Sequence, residues 1–307
     1  MSKEFCLVIL TMLVLLLQPA TLLSGQIILH SDDQFDFALK HMEKGEYHLA
    51  VGEFERFIYF FPEDEKVPRA HYFIGVCYLS GKEYESARKV FRNVYKTYPN
   101  NALAEQALFL IGESYYRQDI LEEAQRYFKM VIDKYPESGL RDAAIYRLSW
   151  SYLQVNRWQD ASETFKRVEE SSPLYTSAQE LSEKSLKGEH LPYKDPTTAG
   201  VTAAIIPGLG HTYCNRYRDG LMAFFLNGLF LWAAVESFDQ DHDVLGGIIG
   251  FLELGWYSGN IYSAVNCAYK HNRKVRDDYR KSLPDKLDLN LFTTRKGYPC
   301  LALKINF

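Results

Sequence analysis

Cysteine is scarce and scattered: 307 residues hold five, with no Cys-x-x-Cys pair and no matching histidine spacing. A disulfide-dense mini-domain and a zinc ribbon are therefore excluded. Basic excess is also lacking. The 35 Lys and Arg face 39 Asp and Glu, for a formal charge of -4, so no global positive field exists and no nucleic-acid partner is expected. No Gly-x-Ser-x-Gly elbow, His-Glu-x-x-His helix or phosphate loop occurs, and the eight histidines are dispersed. No catalytic residue, metal site or cofactor is expected, and the chain reads as non-enzymatic. Apolar character is abundant: 47% hydrophobic and 15% aromatic residues are too many for a disordered chain, and the length allows two domains.

Residues 1–25 begin with one basic residue, Lys3, run apolar from Phe5 to Leu17, and close on Gln18, Pro19, Ser24 and Gly25. This is the layout of a secretory signal peptide, and it predicts export of the remaining chain. The apolar run is short for a span, although extension past Pro19 to Leu29 would make it an uncleaved anchor.

Self-comparison finds one period. Pro62, Pro99, Pro136 and Pro173 are each 37 residues apart, as are Ala50, Ala87, Ala124 and Ala161, and Phe54, Phe91, Phe128 and Phe165. Upstream in each unit Phe37, Ile74, Ile111 and Leu148 recur, each followed by a small residue: Ala38, Gly75, Gly112 and Ser149. Tyr78, Tyr115 and Tyr152 come next in the last three units. Within the second unit Ile74, Cys77, Tyr78 and Gly81 share one helical face and Ala87, Val90, Phe91 and Val94 another, so a unit is two helices, the second stopped by proline. The small residue lets the helices approach closely. One pair cannot bury both faces alone, and stacking of neighbours predicts an α-solenoid over residues 31–190, four units plus a covering helix at residues 178–187.

On these residues the chain resembles the tetratricopeptide repeat family over residues 31–173, with His41 in place of the expected Tyr in the first unit. The joins, such as Tyr98-Pro99-Asn100-Asn101-Ala102, are similar to those of bacterial envelope repeat proteins, namely the outer-membrane assembly lipoprotein and the periplasmic division-coordinator families. The resemblance implies a protein or peptide partner bound in a concave groove lined by the first helices. Phe35, Tyr72, Phe109 and Tyr146 recur there at 37-residue spacing, beside Tyr116 and Trp150. Two readings stand: the aromatic stripe fills the helix-helix core, or it presents exposed partner-binding anchors.

Composition shifts after Lys194. A linker at residues 191–198, flanked by Pro192 and Pro196, leads to a short apolar helix ended by Pro207. Apolar stretches then occupy residues 219–238 and 244–268, separated by the acidic turn at residues 239–243 and closed by Lys270, Arg273, Lys274 and Arg276. The reading is a transmembrane helical hairpin within a module at residues 199–270. Gly246, Gly250, Gly255 and Gly259 would allow close helix contact.

The run Pro207-Gly208-Leu209-Gly210-His211, with Tyr213, Arg216 and Gly220, resembles the entry of a bacterial two-helix membrane module, in which Gln stands where His211 does. The glycines fit a sharp turn between an interfacial helix and a span, since the third Gly, the Lys and the strand of a nucleotide loop are missing. Export and a returning hairpin put the basic flanks outside, against the positive-inside tendency. An interfacial hairpin, an inverted module with cytoplasmic repeats, or a first segment that is not a normal export signal would resolve that conflict. The extracytoplasmic placement is kept, because a signal at the extreme N-terminus usually sets topology. Glu253 lies mid-way along the second apolar stretch, with Asn227 on the first and His211 as candidate partners; it is either functional or a protonated residue that packs the helices. Cys214 and Cys267 fall at the open end, as a disulfide or as two buried thiols. In the basic tail, residues 271–307, Leu287, Leu289 and Leu291 alternate, as do Leu301, Leu303, Ile305 and Phe307. The pattern fits a short strand pair or, less economically, a barrel-closing strand.

The sequence thus predicts a mainly α chain, a repeat solenoid leading into a membrane hairpin. It would bind a protein or peptide partner from the periplasmic side of a cell-envelope membrane, the inner rather than the outer, as scaffold or assembly factor. The alternative is a ligand- or proton-responsive hairpin around Glu253 with regulatory repeats.

Overall fold

The computed structural model describes residues 29–285, 287–293 and 299–305. The signal expected over residues 1–25, and Phe307, lie outside these described residues. The repeats are built from α1 (Ser31–Glu43), α2 (Tyr47–Phe60), α3 (Val67–Ser80), α4 (Tyr84–Thr97), α5 (Ala102–Tyr116), α6 (Leu121–Lys134), α7 (Arg141–Gln154) and α8 (Trp158–Phe165), with α9 (Tyr175–Lys187) covering the open end. Consecutive helices pair and stack into one continuous core.

The periodic residues sit where the spacing places them. The four repeat alanines and the four repeat phenylalanines are all fully buried. A Cβ on Gly75 would lie 2.6 Å from the Phe91 ring, and one on Gly112 2.9 Å from Phe128, so the small residue is what permits the helix-helix approach. Gly112→Ala is expected to cost about 1–3 kcal/mol by overpacking, whereas Gly139→Ala, whose Cβ would meet nothing within 4 Å, should leave the thermal midpoint unchanged.

Each unit turns in the same way. Gly45, Lys82, Asp119 and Asn156, again 37 apart, hold left-handed φ angles of 78°, 63°, 57° and 61°. The carbonyls of the preceding helix end are closed by the same pair of bonds, for example Lys82 N–H to Leu79 O at 3.1 Å and Glu83 N–H to Tyr78 O at 2.8 Å. Two departures mark the ends of the array. Phe37 is 46% exposed where Ile74, Ile111 and Leu148 are buried, because among the described residues no earlier unit covers it. α8 stops at Phe165, well before Pro173, so proline does not terminate the fourth unit's second helix as it does in α4 and α6.

Beyond the repeats lie α10 (Pro196–Ile205), α11 (Leu209–Tyr213), α12 (Tyr217–Asp239) and α13 (Asp243–Ser282), then β1 (Leu287–Thr293) and β2 (Pro299–Ile305). Asp195 caps α10 by accepting from the Thr197 and Thr198 amides, with Pro196 at the first helical position. α10 packs along α13, and α12 and α13 form the hairpin. The second apolar stretch is not a separate rod. It is the first part of one 40-residue helix that continues past residue 270 to Ser282, because no proline or glycine interrupts residues 260–282. Among the described residues one helix, Tyr217–Asp239, is long and apolar enough to cross a membrane. The strands pair antiparallel with Leu287, Leu289 and Leu291 opposite Ile305, Leu303 and Leu301, a short strand pair of the kind the alternating pattern fits.

Candidate functional site

The aromatic stripe is core. Phe35, Tyr72, Phe109, Tyr146 and Trp150 are buried, and Tyr116 is partly buried against the same cluster. Phe35 packs edge-on to Phe54 at 5.6 Å, Phe109 against Phe128 at 5.5 Å and Tyr146 against Phe165 at 5.4 Å. The reading of these residues as exposed partner anchors is thereby corrected: their rings are consumed in holding first to second helices, and a partner would not reach them.

A different feature joins the first helices of the third and fourth units, α5 and α7. Arg147 on α7 is 5% exposed. Its Nε donates to Glu113 Oε2 at 3.1 Å, its Nη1 to Asp285 Oδ2 at 2.8 Å and its Nη2 to the Leu287 carbonyl at 2.8 Å. The guanidinium also lies 5.1 Å from the centre of the Tyr116 ring. Glu113 is itself buried and takes a second bond from Arg117 Nε at 2.9 Å. Burial works against the Arg147 charge, but Glu113 and Asp285 outweigh it and hold its pKa above the ordinary guanidinium value. Leu283 and Leu287, either side of Asp285, are buried in the repeat core cluster.

Sequence reasoning missed this site, although a signal existed. At the register of Arg147 the other units carry Asp36, Phe73 and Leu110, and at the register of Glu113 they carry Leu39, Val76 and Trp150. A charge stands at each of two registers that are apolar in the second unit, and the two charges meet. A second concavity of about 730 Å³ lies between α2 and α4, floored by His71, Ile74 and Tyr78 of α3 and edged by Lys89 and Arg92.

In the hairpin, the entry turn behaves as its glycines require. Gly208 has φ 86°, and a Cβ there would sit 1.9 Å from the Gly220 carbonyl oxygen; a Cβ on Gly210 would sit 2.1 Å from the Ala199 carbonyl oxygen. Pro207 separates α10 from α11 at this crossing. The buried His211 shares a hydrogen bond of 3.1 Å between Nε2 and the Ser263 hydroxyl, while its Nδ1 has no partner. Burial pushes this imidazole toward neutrality, with Asp219 pulling the other way.

The residues buried on the facing sides of α12 and α13 recur every seventh position: Gly220, Asn227 and Ala234 on α12, Gly246 and Glu253 on α13. Asn227 and Glu253 are equally far from the tip at Gln240 and so share one level of the hairpin. Asn227 Nδ2 donates to the Ala223 carbonyl at 2.5 Å, but its Oδ1 and both Glu253 carboxylate oxygens are buried without a partner. A cleft of about 680 Å³ runs beside them, lined by His211, Asp219, Phe230, Glu253, Trp256 and Ser263. The expected close contact through four glycines holds only at Gly246, where a Cβ would meet the Phe238 ring at 2.9 Å. Gly250, Gly255 and Gly259 have nothing within 4 Å of that position, and Gly255 and Gly259 line the cleft instead.

Cys214 and Cys267 are free thiols buried in one small cluster with Ala199 and Ala268, so no disulfide joins them. Burial, with Cys267 alongside, pushes the Cys214 thiol up to about 11.

Tetratricopeptide repeat family models match residues 35–102 and residues 106–138. No curated protein matches the chain. Among solved structures, a tetratricopeptide repeat protein from Parabacteroides merdae is 14% identical, with a TM-score of 0.43, 82% of this chain and 97% of that chain covered. The pilF protein of Pseudomonas aeruginosa is 16% identical, with a TM-score of 0.39 and coverages of 81% and 97%. A Rap conjugation gene regulator of the plasmid pLS20, in complex with the Phr* peptide, is 16% identical, with a TM-score of 0.39 and coverages of 87% and 83%. Over residues 35–138 the stacked helix pairs of this chain match the tetratricopeptide repeat.

Proposed function

We propose that this protein is a membrane-held scaffold of a cell envelope, recruiting a protein or peptide partner through its repeats while the α12–α13 hairpin sits in the bilayer. Tetratricopeptide arrays are protein-interaction scaffolds, which supports the first half. The observation that carries the second is the outer surface of the hairpin. Phe224, Phe225, Leu229, Leu231 and Trp232 of α12 and Ile248, Phe251, Leu252 and Leu254 of α13 are exposed together. A contiguous apolar surface of that size is a liability in water and a fit to hydrocarbon. Under this reading the leader at residues 1–25 exports the repeats to the periplasm and the hairpin returns the tail to the same side.

Carbonate washing of membranes tests the anchoring: the full chain is expected to stay with the lipid, and its release would sink the proposal. Reporters fused after residues 190, 241 and 307 test the topology, with the first and last expected outside and the middle one inside. Photo-crosslinkers at Lys89 and Arg92 are expected to trap one discrete protein in the membrane fraction.

A second reading rests on the Asn227–Glu253 level. Three buried acceptor oxygens, Asn227 Oδ1 and both Glu253 oxygens, have no donor when Glu253 is ionised, whereas a neutral carboxyl has an O–H to give Asn227 Oδ1. The hairpin would then respond to a proton or a ligand entering the adjacent cleft, with the repeats regulatory. Glu253→Gln preserves shape and supplies a donor permanently. A responsive hairpin predicts loss of function in this variant with normal membrane residence; unchanged function leaves Glu253 as a packing residue.

A further inference from the structure

The path of the chain after α13 is set locally. Pro284 forbids continuation of the helix, and Leu283 before it turns to an extended conformation with φ -83° and ψ 127°. Asp285 then folds back on its own backbone: its Oδ1 accepts from the Leu287 amide at 3.1 Å, which leaves Oδ2 to meet Arg147. The Arg147 fork thus reads two features two residues apart, a carboxylate and a backbone carbonyl, while Leu283 and Leu287 fill apolar space on either side. The residues that do the reading, Arg147 and Glu113, are buried charges at registers where the second unit carries Phe73 and Val76. Buried charges cost stability unless they are paired, and here they bind a segment that lies outside the repeats.

We propose that the face of α5 and α7 around Glu113 and Arg147 is a recognition site for an extended peptide carrying Asp between two leucines, two residues to either side, and that Leu283, Asp285 and Leu287 occupy it in cis. This rests on the reading of the repeats as the partner-binding element and deepens it: a partner engages the repeats by presenting the same chemistry and displacing the tail. Covalent linkage gives the tail an effective concentration in the millimolar range, so the site is closed until a competing segment arrives or the tail is drawn away.

The experiment uses the full chain in nanodiscs and a fluorescein-labelled peptide of residues 280–290 as probe. The Asp285→Ala/Leu287→Ala chain is expected to bind the probe at least tenfold more tightly than the natural chain, in which the tail competes. A probe with Asn in place of Asp285 is expected to bind that variant at least tenfold more weakly, a comparison that no folding defect can mimic because the protein is the same in both arms. Equal binding by both chains, absence of binding to the tail variant, or equal binding of the Asp and Asn probes overturns the proposal. A dimer held by exchanged tails that the probe does not dissociate overturns it as well. Crosslinking of a partner at Lys89 or Arg92 without probe binding would leave the scaffold reading standing while removing this site.

Discussion

Arg147→Ala is expected to destabilise the repeats by about 3–5 kcal/mol, because it breaks a buried ion pair and leaves the other partner's charge in place. Glu113 keeps its bond to Arg117 Nε, which puts the loss toward the lower end. Denaturant unfolding monitored through Trp150 and Trp158, both in the affected units, measures it. The more informative variant removes both charges. Glu113→Val with Arg147→Leu installs the residues found at the same registers in earlier units, Val76 and Leu110. Replacing a buried pair by apolar residues of similar bulk is often neutral or stabilising, so the double variant should recover to within about 1 kcal/mol of the natural chain. It should nevertheless fail to hold the tail, seen as faster proteolysis within residues 283–293. Recovery with a protected tail would mean that Leu283 and Leu287 alone dock the segment.

The second large effect belongs to the entry turn. Gly208→Ala imposes a side chain on a left-handed backbone and drives its Cβ to within 1.9 Å of the Gly220 carbonyl oxygen. Strain of about 1–3 kcal/mol and overpacking of a similar size add. Gly210→Ala has no backbone strain but meets the Ala199 carbonyl oxygen at 2.1 Å, and backbone cannot swing aside as a side chain can. Both variants are expected to loosen the crossing of α10, α11 and α12, with thermal unfolding at lower temperature and new protease cuts within residues 206–216. Gly228→Ala is the control: its Cβ meets nothing within 4 Å, and the helix should gain slightly or not change. Equal behaviour of Gly208→Ala and Gly228→Ala would refute the crossing geometry.

The repeats were legible because burial imposes one rule four times. Ala87 and Phe91 recur as Ala124 and Phe128, and a period of 37 needs no structure to be seen. The aromatic stripe shows the limit of that method. Periodicity tells that Tyr72 and Tyr146 meet the same environment, but a core and a groove both repeat, and only packing separates them. The hairpin tip, the entry glycines and the strand pair were also readable, since each depends on neighbours in sequence. The Arg147 site was not, for a physical reason: Asp285 lies 138 residues away from Arg147, and long-range pairing leaves no local pattern. The sequence held only a faint sign, a charge at each of two registers that are apolar in the second unit. The length of α13 was misread because apolar character ends near residue 268 while helical propensity does not.

That length has a mechanical meaning. At 1.5 Å per residue the 40 residues of α13 make a rod of about 60 Å, roughly twice the hydrocarbon thickness of a bilayer. Its C-terminal part is bolted to the linker and the array: Asn272 brackets both the amide and the carbonyl of the linker residue Lys194, at 2.7 and 2.8 Å, and Tyr279 donates to the Lys184 carbonyl of α9 at 2.7 Å. The array cannot swivel on a slack tether. Tilting it must tilt the rod, so a pull on the repeats is felt at the foot of the hairpin as torque.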